Sequence, residues 1–109
     1  MKTFGDVNVG DYIYMLKWHA KTKWLEIRRC HVRGVKPFGK RKVEIDFGHF
    51  SNTQDARFHW MKQMYASLVF NKDDCTNKEH CEKSKPEYLI LAEFNEDIVS
   101  DFEKQKRDI

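Results

Sequence analysis

The sequence predicts an α+β domain: a small curved antiparallel sheet or partly open barrel, followed by a C-terminal helix. Three observations predict it. Residues 42–47 alternate cleanly, with Val43, Ile45 and Phe47 on one side and Lys42, Glu44 and Asp46 on the other. Turn signals at Gly10-Asp11, residues 19–23 and Pro37-Phe38-Gly39 divide the front of the chain into strand-sized pieces. Beyond residue 84 the pattern changes to a helical period, with Leu91, Phe94, Ile98 and Phe102 in one stripe. A length of 109 residues with 15 aromatics fits a single folded domain over 1–109, mainly β over 1–70 and mainly helical over 71–109.

Residues 1–10 form an entry arm in which Phe4, Val7 and Val9 can lie on the core. The first strand covers 12–18 and the second 24–35, joined by a short polar loop. Leu25 and Ile27 have one parity, and Cys30 and Val32 the other. That change of phase predicts a bulge near Arg28-Arg29, with Gly34 as a second flexible point. The third strand is 42–47. Residues 58–65 fit either strand or helix and are assigned to a strand, as are 67–70, giving about five strands.

Asn71, followed by Asp73 and Asp74, reads as the N-cap of a short helix running to about Lys83. Ser84 and Glu87 have capping-box spacing around Pro86, which predicts one longer helix through Phe102. The rival reading makes 88–94 a strand and starts the helix at Asn95. The helical stripe and the Val43/Ile45/Phe47 face are expected to bury each other as one nucleus.

The run from Phe4-Gly5-Asp6 through Val7-Asn8-Val9-Gly10-Asp11 to Tyr12-Ile13-Tyr14 resembles the opening of small SH3-like barrels. Leu68-Val69-Phe70-Asn71-Lys72-Asp73-Asp74 resembles the strand-to-helix junction of short proteins of gut Bacteroidetes and their phages. The resemblance implies a scaffold that binds proteins or nucleic acids, in a bacterial cytoplasm or a virion. It implies no catalytic residue.

Charge is unevenly spread. Residues 1–60 carry a balance of +6 and residues 61–109 one of −3. The basic front half supplies candidate phosphate contacts: Lys17, Lys21, Lys23, Arg28, Arg29, Arg33, Lys36, Lys40, Arg41 and Lys42. They are interleaved with Trp18, His19, Trp24 and Phe38, which can stack on bases. Curved strands are expected to gather these hairpin tips into one basic rim. The large residues Trp18, Trp24, Trp60 and Phe102 are the candidates for a protein interface or self-association.

Three cysteines, Cys30, Cys75 and Cys81, suit free thiols in a reducing compartment better than a disulfide framework. With His31 and His80 they offer metal-ligand types, but at spacings that suit no structural zinc site. No nucleophile elbow, phosphate loop or zinc-protease motif is present; His49 and His59 are the pair to inspect for acid–base chemistry. No apolar run is long enough to span a bilayer. The expected protein is therefore a cytoplasmic interaction module without a cofactor, docking on a protein partner or on itself. The alternative is a nucleic-acid-binding domain.

Overall fold

A computed structural model describes residues 1–49, 64–80 and 87–108. Six strands and one helix follow in order: β1 Tyr12–His19, β2 Trp24–Phe38, β3 Lys42–His49, β4 Met64–Asn71, β5 Thr76–His80, β6 Glu87–Leu91 and α1 Glu96–Arg107. The strands form one antiparallel sheet in the order β4-β3-β2-β1-β6-β5.

That order forces the sheet to curl. β4 and β5 are its two opposite edges, yet only residues 72–75 join them. Laid flat, the edges of six strands would stand about 24 Å apart. Such a link reaches about 17 Å at most. The sheet therefore bends into a half-barrel that brings its edges together at the 72–75 turn. A short 3₁₀ turn at Phe4–Asp6 seals this seam. The Phe4 N–H donates to Asp74 O at 2.9 Å, and the Phe4 ring stacks on Phe70 with centroids 4.1 Å apart. Gly5 donates to Lys72 O, and a Cβ at Gly5 would lie 3.0 Å from that same oxygen. Only glycine lets the two backbones meet so closely.

Both faces of the central strands are buried, in separate clusters. The inner face holds Ile13, Met15, Cys30, Val32, Val43, Ile45, Phe47, Phe70 and Ile90, closed by Phe4 and Val7. The outer face holds Leu16 and Leu91, covered by Val99 and Phe102 of α1 and flanked by Trp18, Leu25 and Ile27. The phase change in β2 follows from this. Leu25 and Ile27 serve the outer cluster, Cys30 and Val32 the inner one. β1 and β2 stay in unbroken register through Arg28 and Arg29, so no bulge is needed there. The irregularity lies between Val32 and Gly34, where Arg33 is the extra residue. It returns Val35 to the inner face beside Ile45. The expected single nucleus is likewise corrected. The Val43/Ile45/Phe47 ribbon and the helix lie on opposite sides of the sheet.

Two helical expectations also give way. The predicted helix over 71–83 is a turn followed by β5 within its described part. Asn71 ends β4, and its side-chain N–H donates to Asp74 Oδ2 at 3.1 Å. The predicted single helix over 84–102 begins only at Glu96. Asn95 caps it, accepting from the Ile98 N–H at 3.0 Å. Residues 88–91 mimic a helical stripe because β6 lies between β1 and β5 and buries both faces. Tyr88 and Ile90 point inward, Leu89 and Leu91 outward. Phe94, counted in the stripe, is 49% exposed. The assignment of 58–63 to a strand lies outside the described residues; 64–71 is β4.

Candidate functional site

The basic residues do not form one rim. β2 runs the length of the sheet between the β1–β2 turn and the β2–β3 turn, so the two hairpin tips sit at opposite ends. Lys21 and Lys23 are exposed at one end, Lys40 and Arg41 at the other. Strand parity then divides the rest. Lys17 and Arg28 share the inner face, while Arg29, Arg33, Lys36 and Lys42 share the outer one.

On the inner face Arg28 belongs to a buried ion network. Glu26 is 3% exposed, and its carboxylate accepts from Arg28 Nε on one oxygen and from His19 Nε2 at 3.0 Å on the other. Burial works against ionisation of Glu26. The Arg28 hydrogen bond and charge, with help from His19, outweigh it and hold the carboxyl below its ordinary value. Trp24 stacks on His19 with centroids 4.3 Å apart, and Lys17 and Arg28 each approach the Tyr88 ring at 5.6 Å. The network secures the far end of the β1–β2 hairpin, where β3 no longer covers β2.

The outer face carries a different arrangement. In register across four strands stand Tyr12 (β1), His31 (β2), Gly48 (β3) and Tyr65 (β4). The Tyr12 and His31 rings are 5.4 Å apart. The Arg29 guanidinium lies 4.6 Å from the Tyr12 ring centre, and that of Arg33 lies 4.2 Å from the Tyr65 ring centre. Arg33 follows inward-facing Val32 and so points outward, and it reaches across β3 because Gly48 puts no side chain in its way. Tyr12 is 41% and Tyr65 59% exposed, and Arg29, His31 and Arg33 are exposed too. Among the described residues no carboxylate pairs with Arg29 or Arg33. Among the described residues the helix covers only the β1–β6 side of this face; Tyr12, His31 and Tyr65 of the row are exposed, while Gly48 is buried.

The candidate protein-contact residues separate in the same way. Phe102 is 6% exposed in the cluster between helix and sheet. Trp18 is half-buried at that cluster's edge, with the Arg107 guanidinium 5.1 Å from its ring centre. Trp24 is half-buried against His19, and Trp60 lies outside the described residues, as do His59 and Cys81.

Cys30 is fully buried. Loss of solvent pushes its thiol up to about 12 despite the nearby Arg28, so it stays protonated at neutral pH. Among the described residues no three His, Cys, Asp or Glu side chains come together as a metal site. Two surface depressions, of about 160 Å³ beside α1 and about 270 Å³ around Glu44 and Asp46, are smaller than the roughly 300–1,000 Å³ of ordinary ligand pockets. No described helix is long and apolar enough to cross a membrane.

Sequence reasoning picked out Arg29 and Arg33 but not the row they serve. The signal was present: Arg29, His31 and Arg33 alternate along one strand and so share a face. Tyr65 could not be added without the β3–β4 register. Comparison with protein-family models, curated proteins and solved structures found no match.

Proposed function

We propose that this chain is a non-catalytic binding module that holds single-stranded nucleic acid on the outer face of a small, partly open SH3-like barrel. The observation that carries the reading is the row Tyr12–His31–Gly48–Tyr65 with an arginine over each tyrosine. The terminal tyrosines stand three strands apart, roughly 14 Å. They are two exposed platforms on which bases can stack, and Arg29, Arg33 and His31 lie beside them to meet the backbone phosphates. An acidic protein would use the arginines but leave the ring faces idle, which is why a nucleic acid fits better. A duplex hides its base faces, so the fit is to a single strand.

The test is a fluorescence-anisotropy titration of labelled single-stranded DNA and RNA over a salt series. Arg29→Glu with Arg33→Glu is expected to weaken binding at least about tenfold. It should also flatten the logarithmic salt dependence by about 1.4, the share of two lost phosphate contacts on a single strand. Tyr12→Ala or Tyr65→Ala should cost about 1–3 kcal/mol each while leaving the salt slope unchanged. Lys21→Glu and Lys40→Glu, at the hairpin tips, should matter much less. Absence of binding at low salt would remove the reading.

A further inference from the structure

The two edges of the sheet differ in how they meet solvent. β5 is five residues long and its sequence includes Lys78, Glu79 and His80. Short, charged edges resist further strand pairing. β4 is eight residues long, Met-Tyr-Ala-Ser-Leu-Val-Phe-Asn, with no charge, proline or glycine. Each of the other five strands contains a charged residue, although four of them are internal. Among the described residues β4 pairs with β3 alone. The strand that most needs edge protection therefore has least.

We propose that β4 pairs antiparallel with β4 of a second copy of this chain, forming a two-fold dimer with one continuous sheet. A second copy fits because two-fold pairing sets the strand against itself, and a strand without charge meets no like charge there. The face pattern fixes the register. Ala66, Leu68 and Phe70 face inward and Tyr65, Ser67 and Val69 outward, so the paired residues must share parity. Centring the axis on Ser67 places Tyr65 opposite Val69 of the second copy, and Val69 opposite the second copy's Tyr65. Among the described side chains of the strand these are the two exposed large hydrophobic ones, at 59% and 39% exposure. Their meeting is an aromatic–β-branched pair of the kind favoured across strands. The dimer rests on the edge alone and does not require the nucleic-acid reading, although it would bring the two Tyr65 ends of the outer row onto one surface.

Sedimentation velocity over a concentration series tests the dimer, with the far-UV spectrum and melting temperature of each variant checked alongside. The wild-type chain should sediment as a dimer that dissociates on dilution. Ser67→Lys puts two like charges opposite each other at the axis and should raise the dissociation constant at least about fivefold. In a Cys75→Ser, Cys81→Ser background, Ser67→Cys should give a covalent dimer on mild oxidation, because the two thiols face each other across the axis. A wild-type chain that stays monomeric at every concentration would overturn the proposal. So would a dimer that neither weakens with Ser67→Lys nor cross-links through Ser67→Cys.

Discussion

Phe4→Ala should lower the free energy of unfolding by about 3–5 kcal/mol, the range for emptying the site of a fully buried phenylalanine. Phe4 lies outside the six strands, in the short 3₁₀ turn ahead of β1. Its surroundings explain the size of the effect. The ring is completely buried and stacked on Phe70, and its N–H joins the turn that links the two sheet edges. Removing it opens a cavity where the half-barrel closes. Urea unfolding followed by tryptophan fluorescence reads the loss. Phe4→Leu, which keeps most of the volume, should cost about half as much. A loss below about 1 kcal/mol for Phe4→Ala would mean the seam is held by backbone hydrogen bonds alone.

Glu26→Gln should cost about 3 kcal/mol, because it leaves the Arg28 guanidinium sheltered from water without its counter-charge. The paired replacement Glu26→Leu with Arg28→Met should recover most of that loss, since it removes both charges and keeps the volume. If the double variant is no better than the single one, the network acts by shape and not by charge. The pH dependence gives an independent check. Arg28 and His19 hold the Glu26 carboxyl below its ordinary value of 4.5, so its contribution is complete above that value. It fades as pH falls through the lower, folded value. The gap between wild type and Glu26→Gln should therefore be constant near neutrality and shrink below pH 4.5. A gap that widened in acid would contradict the assignment.

Much of the architecture was legible where one physical signal dominated. The first three strands follow from alternation and turn chemistry, and their starts at Tyr12, Trp24 and Lys42 agree with the structure. The back third misled because two patterns coincide. A strand buried on both faces is apolar at every position, and residues 88–91 therefore also satisfy a helical stripe. Asn71 with two following acids looks like a cap but closes a turn, since the same side-chain chemistry serves both. The rival start at Asn95 was the true one, and what decides it is the pairing of β6 with β1, a long-range fact no local pattern contains.

The site was less legible for the same reason. Charge counting found ten cations, but only register tells which of them share a face. Arg28 and Arg29 are neighbours in the chain with opposite roles. One is spent on a buried carboxylate, and the other stands over Tyr12 in solvent. Glu26 was missed because a carboxylate on a strand looks like an ordinary surface residue until burial is seen, and Tyr88 because its segment reads as helix.

The outer row is tested most directly by following backbone amide resonances while an unlabelled single-stranded oligonucleotide is added. The expected result is a set of shifts centred on Tyr12, Arg29, His31, Arg33, Gly48 and Tyr65, with Lys21, Lys40 and the Glu26 network unmoved. Shifts confined to the hairpin tips, or none at low salt, would contradict it.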